Sequence, residues 1–372
     1  MTDHMLIVRL DSAGDMLLAG PAVRAAASGS HRVTVLAGPR GAAAAELLPG
    51  VDEVIAWEAP WIAPEPGPLD PAAVDALIRT VVALEPDGAV VLTSFHQSAL
   101  PTALLLRLAG VGWIAGFSED YPGSLLDVRM RPPGDIPESE RALRLMRACG
   151  FPLQAGDDRH LRIRRGGASH VPPLPQPYVV LHPGASVPAR MPMPQWSADV
   201  AASLAAGGYR VVVTGGPGER ELTALVAGRG AMDLGGRTDL PELASVLADA
   251  QAVIAPNTAA AHLAAAVGTP VVSLFAPVVD RRRWAPHGVP SVVLGDQNAA
   301  CRGTRARACP VPGHPCLGSI TYAQVVQALS TLGALPYRRV SATSSSATVE
   351  GLAPPRDRAT RANVVHGGRS TS

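Results

Sequence analysis

The stretch RRGGASHVPPLPQPYVVLHPGAS, Arg164–Ser186, decides the fold. From Arg164 to Pro177 it is dense in Gly and Pro and carries no apolar period, which reads as a linker. Tyr178 then opens the apolar run YVVL, which ends in a small-residue turn, as a strand feeding a helix does in a parallel α/β unit. The same alternation lies on both sides. Upstream, strands are predicted at 5–10, 32–37, 53–57, 89–93 and 113–117, with helices near 15–28, 40–48, 71–84 and 97–109. Downstream, strands are predicted at 178–182, 210–214, 252–255 and 271–275, with helices near 195–207, 218–229, 240–249 and 258–267. The chain therefore divides into an α/β domain at 1–165, a linker at 166–177 and a second α/β domain at 178–340. Residues 341–372 have no apolar period and read as a disordered tail. Two such domains place a ligand cleft between the C-terminal ends of their sheets.

Composition agrees with this division and removes several classes of function. At 372 residues the chain exceeds the size at which one core stops growing, and 47% apolar residues can fill two. A formal net charge of +1 argues against a nucleic-acid partner. No apolar run nears the roughly 18 residues that cross a bilayer, which leaves peripheral membrane contact open. The N-terminus lacks the basic start and the apolar run of about 7–15 residues of a signal peptide, so a cytoplasmic location is expected. All 32 basic residues are arginine, so a cationic contact to phosphate must come from Arg, a helix N-terminus or His. Cys149 stands alone, while Cys301, Cys309 and Cys316 are spaced too widely for a short zinc knuckle. Free thiols are the expectation for these three, and a three-Cys metal site with one outside ligand is the alternative.

Four segments carry candidate chemistry. In Asp11-Ser12-Ala13-Gly14-Asp15, directly after the first predicted strand, a carboxylate facing the cleft can take a proton from a hydroxyl. The competing reading is a helix start, with Ser12 as cap and Asp15 complementing the dipole. In LHPGASVPAR, the turn Gly184-Ala185-Ser186 and the charge of Arg190 can hold an anion, or form an ordinary turn beside a solvated Arg. TGGPGERE, with Gly215 and Gly216, is a Gly-rich turn that fits neither the ATP-type nor the dinucleotide fingerprint. In PNTAAAH, Asn257 can cap a helix starting at Thr258, whose free amides, with Ala259 and Ala260, would form an anion site. His262 lies on the same helix face as Thr258, as a ligand contact or as a satisfied core residue. There is no D-x-D pair of the kind that holds a metal on a sugar nucleotide, so no metal site and no cofactor are expected.

Taken in order, these four segments resemble glycosyltransferase family 9, the family of the ADP-heptose:lipopolysaccharide heptosyltransferases, over roughly residues 5–335. The resemblance implies a GT-B fold: two Rossmann-like domains facing a central cleft, the first holding the acceptor and the second the nucleotide-sugar donor. It implies that Asp15 of SAGD is the catalytic base of an inverting, metal-independent transfer, with Asp11, Ser12 and Gly14 on the acceptor side. Arg190 is the nearest match to the family's phosphate-binding basic residue, although the usual Trp-Pro that follows is here Met191-Pro192-Met193-Pro194. The donor motif is represented by Asn257-Thr258-Ala259-Ala260-Ala261-His262, with Ala259 in place of a glycine and Asn257 in place of the frequent Asp. A nucleoside-diphosphate sugar follows as donor, an ADP-sugar favoured and heptose one candidate. The acceptor is a hydroxyl of a glycolipid, glycan or small molecule. The alternatives are a sugar-nucleotide epimerase, drawing carboxylates from Glu119, Asp120, Asp157 or Asp158, and a nucleotide-sugar-binding protein without catalysis.

Overall fold

Met5, Leu6, Ile7 and Val8 are buried without alternation, as in a central parallel strand covered on both faces. Around them the computed structural model, which describes residues 2–164 and 170–337, builds the first of two sheets. It contains β1 (Thr2–Arg9), β2 (Ser30–Ala37), β3 (Glu53–Ala56), β4 (Gly88–Val91), β5 (Ile114–Phe117) and β6 (Val128–Met130). These strands are parallel, in the order β3-β2-β1-β4-β5-β6. The second sheet contains β7 (Val179–Leu181), β8 (Val211–Val213), β9 (Met232–Asp233), β10 (Val253–Pro256), β11 (Val271–Leu274) and β12 (Ser291–Leu294). It is also parallel, in the order β12-β11-β10-β7-β8-β9. Counted from its own first strand, each half follows the doubly wound order, with its switch point between β1 and β4 or between β7 and β10.

The helices of the first half are α1 (Ala13–Leu18), α2 (Gly20–Gly29), α3 (Pro39–Glu46), α4 (Pro71–Leu84), α5 (Leu100–Leu108) and α6 (Glu138–Ala148). Those of the second are α7 (Pro194–Ala206), α8 (Arg220–Ala227), α9 (Leu240–Ala248), α10 (Ala259–Val267), α11 (Arg281–Trp284), α12 (Pro315–Gly318) and α13 (Tyr322–Thr331). The single helix expected over 15–28 is two helices broken at Ala19, because Pro21 in the first turn of α2 has no N–H to continue the ladder. Asn257 is not a helix cap. The cap position is Thr258, and no side chain caps α10.

Both halves share buried apolar packing. One cluster runs from Leu17 of α1 and Val35 of β2 to Ala261 and Ala264 of α10 and Val180 of β7. A smaller one gathers Leu18, Leu161, Phe275, Val279 and Trp284, with Phe95 from the loop after β4 packed on it. The tail at 341–372 and residues 165–169 at the linker lie outside the described residues. Among the described residues no helix is long and apolar enough to cross a membrane.

Candidate functional site

The four loops at the two switch points open on one cleft of about 660 Å³. From the first half it is lined by the turn Asp11–Asp15 after β1 and by Ser94, His96 and Gln97 after β4. From the second half come Ser186 and Arg190 after β7 and Asn257, Thr258, Ala259 and His262 after β10. The halves meet at Gly14. A β-carbon placed there would lie 3.0 Å from His262 Cδ2 and 3.5 Å from Ala259 Cα, so glycine lets α1 come up against the start of α10.

The turn after β1 is organised by Arg9, a buried residue the sequence reading passed over. Its guanidinium lies 2.9 Å from Asp11 Oδ2, 3.3 Å from Asp15 Oδ1 and 3.8 Å from Glu138 Oε2, and donates to Ser94 Oγ at 2.9 Å. Ser12 stands at the N-cap position of α1, but its hydroxyl donates to Asp15 Oδ2 at 2.7 Å and caps no amide. Asp11 accepts from Ser94 Oγ at 3.1 Å and from the Gln97 side-chain amide. Behind them Glu138 pairs with Arg141 at 3.3 Å, and Arg141 also donates to the Thr93 carbonyl.

These contacts separate the two aspartates. Burial pushes Asp11 above the usual carboxylate value despite Arg9. Burial acts on Asp15 in the same direction, but Arg9, the Ser12 hydroxyl, His262 and Arg190 outweigh it and hold Asp15 below its usual value. The Asp15 side chain keeps 21% of its surface exposed to the cleft. Burial brings the His262 imidazole down to about 4, so it is neutral at neutral pH. Burial likewise lowers Arg190.

Three buried polar atoms of cleft-lining residues in the second half have no partner among the described residues: Asn257 Nδ2, His262 Nδ1 and Arg190 Nε. Buried polar atoms are rarely left unpaired unless a ligand or water completes them, and all three belong to residues that line the cleft. The first amides of α10 add donors without intrahelical partners.

Gly184, Ala185, Gly215, Gly216 and Ala260 do not line this cleft. The glycines instead surround Glu219, whose Oε2 accepts from Gly216 N at 2.7 Å and whose carboxylate occupies the space a Gly184 β-carbon would need. Glu219, Arg9, Glu138 and Gln97 had weak sequence signals. The clearest was an arginine inside the apolar run MLIVRL, Met5–Leu10, which a solvated side chain would not leave buried. The four carboxylates an epimerase would need are elsewhere: Asp157 pairs with Arg24 at 2.8 Å, Asp158 with Arg162 at 2.9 Å, and Glu119 and Asp120 are exposed.

The cysteines are free thiols. Burial, with Cys301 and Cys309 nearby, pushes the Cys316 thiol up to about 12, so the free thiol is protonated at neutral pH. Among the described residues no group of three or more His, Cys, Asp or Glu is placed to hold a metal ion.

Comparison with known proteins agrees with this architecture. Lipopolysaccharide heptosyltransferase 3 of Escherichia coli is 36% identical over 121 residues, 30% of this chain and 34% of that protein. The same enzyme of strain K12 is 36% identical over 119 residues, 29% of this chain and 33% of that protein. The matched segment thus spans about a third of the length of these curated relatives. Among solved structures, the glycosyl transferase family 9 protein of Veillonella parvula aligns with a TM-score of 0.69 at 18% identity, over 89% of this chain and 97% of that one. Escherichia coli heptosyltransferase II aligns at 0.64 and 20%, over 88% and 98%. The Escherichia coli heptosyltransferase WaaC with ADP aligns at 0.65 and 20%, over 88% and 99%. At these identities the likeness is one of fold, two parallel-sheet α/β domains of GT-B type. Residues 77–313, more than half of the sequence, match the family model for glycosyltransferase family 9 (heptosyltransferase), and the chain belongs to that family.

Proposed function

We propose that the protein is an inverting glycosyltransferase that moves a sugar from a nucleoside diphosphate to an acceptor hydroxyl held on the first half of the cleft. One observation carries this reading: Asp15 from the first sheet faces Arg190, Asn257 and His262 from the second in one cleft, with three polar atoms there unpaired. Asp15, ionised and partly exposed, takes the acceptor proton as the oxygen attacks the anomeric carbon from the face opposite the nucleotide. The depressed basicity suits a step in which the hydroxyl becomes acidic only as the new bond forms. The departing diphosphate is met by Arg190, the first amides of α10 and the neutral His262 imidazole, a set of fixed donors in place of a metal ion. WaaC has been solved with ADP and with ADP-2-deoxy-2-fluoro heptose, which supports an ADP-sugar, with heptose as the first to try. A donor of this kind fits a cytoplasmic location, and the carboxylate pattern leaves the epimerase reading without support.

The test pairs calorimetry with turnover. ADP should bind without added metal, and Arg190→Ala should weaken it. Asp15→Asn should leave ADP affinity unchanged while lowering transfer by about 10²–10⁴. Unchanged turnover in Asp15→Asn, or ADP binding indifferent to Arg190, rejects the assignment.

A further inference from the structure

The acceptor half of the cleft has a composition of its own. After β3 the chain runs as EAPWIAPEPGPLD, Glu58–Asp70, and from it Trp61, Ile62, Ala63 and Pro64 line the cleft opposite Pro101 of α5. Trp57 packs against Trp61 with ring centroids 5.5 Å apart, which holds the indole as a fixed flat wall. The carboxylates of the same stretch, Glu58, Glu65 and Asp70, do not line the cleft. The cation that the first half gives to the lining is Arg40, in the first turn of α3. Its position is set by Gly38, where a β-carbon would collide with the Leu10 carbonyl, so the start of α3 abuts the turn that bears Asp11. Arg40 is exposed, and no ion pair or hydrogen bond to it is found among the described residues.

We infer that the acceptor is a compact hydroxylated molecule with one aromatic or apolar face, seated on Trp61, and a single anionic group, paired with Arg40. This deepens the transferase reading and rests on it for the role of the cleft. A flat ring laid on Trp61 excludes water from that wall, while its hydroxyl is directed at the Asp11–Asp15 turn. A multiply phosphorylated glycolipid headgroup is disfavoured, because the first half sets only Arg40 against its further charges, beside the carboxylates of Asp11 and Asp15 in the same lining. Trp61 and Arg40 are therefore specificity-determining residues.

The experiment measures binding of three probes to the full chain by calorimetry, with and without ADP: phenyl β-D-glucuronide, phenyl β-D-glucoside and glucuronate. Glucose 1,6-bisphosphate in the presence of ADP serves as the polyanionic comparison. The glucuronide should bind about tenfold tighter than either partial probe, and tighter than the bisphosphate. Trp61→Ala should erase its advantage over glucuronate, Trp61→Phe should keep most of it, and Arg40→Gln should erase the advantage over the glucoside. Unchanged ADP affinity in these variants shows that they fold. Equal binding of the three probes by the wild type, discrimination that survives Trp61→Ala, or tighter binding of the bisphosphate overturns the inference. Probe discrimination in a protein that does not bind ADP would instead remove the donor reading and leave this one standing.

Discussion

Asp15 and Asp11 lie four positions apart and share one guanidinium, yet their protons are held differently. Arg9 and Ser12 both contact Asp15, whereas Asp11 is enclosed with fewer compensating charges. Asp15 therefore remains ionised well below neutrality, and kcat/KM should be level from about pH 8 down to about pH 5. Arg9→Gln removes the charge that lowers Asp15 and should move the acid limb up by about one to three pH units. The same change takes a shared cation from Asp11, Asp15 and Glu138, of which Glu138 keeps Arg141, and should cost about 3–5 kcal/mol in denaturant unfolding. A pH–rate profile identical to wild type would show that Arg9 does not set the state of Asp15. Of these residues Asp15 was singled out in the sequence, where the turn left it open between a base facing the cleft and a helix-start residue, and its side chain lines the cleft. Arg9 was less legible, since a strand-borne arginine gains meaning only when Glu138 is brought to it from α6, far along the chain.

At the scale of the element, the strand–helix alternation was readable wherever a strand was long or its turn rich in glycine. β6, β9 and β12 have two to four residues or mixed burial, too short a signal for a period of two, and α6 and α13 lay outside the expected helices. The break between α1 and α2 was written in Gly20-Pro21, but the apolar run across it concealed the boundary. The turn after β7 shows how a glycine motif can serve packing. Gly184→Ala would displace the Glu219 carboxylate and break its bond to Gly216 N, at a cost of about 1–3 kcal/mol. In the double variant with Glu219→Ala the cost should largely vanish, since nothing then fills the space. Additive losses in that cycle would show that Glu219 is not the obstacle.

For the molecule as a whole, the buried imidazole of His262 makes stability depend on acid. His262 is brought down to about 4, mainly by burial, against an ordinary value of 6.5. Between those values the unfolded chain binds more protons than the folded one, so stability should be level above pH 6.5 and fall as pH drops towards 4. The thermal midpoint measured across that range should show the decline, and His262→Gln should reduce its slope. A wild-type midpoint constant from pH 6.5 to 4.5 would contradict the burial that lowers His262.

The contact at Gly14 has a mechanical consequence. With α1 already touching the first turn of α10, the halves have no room to approach there, so any motion that narrows the cleft must pivot about this point. Asp15, one residue away, would then hardly move relative to His262. The travel would be taken up by the rest of the lining, which includes Trp61 and Ile62 of the first half and Ser186 and Arg307 of the second. The protein would behave as a pair of jaws with Asp15 and His262 close to the fulcrum.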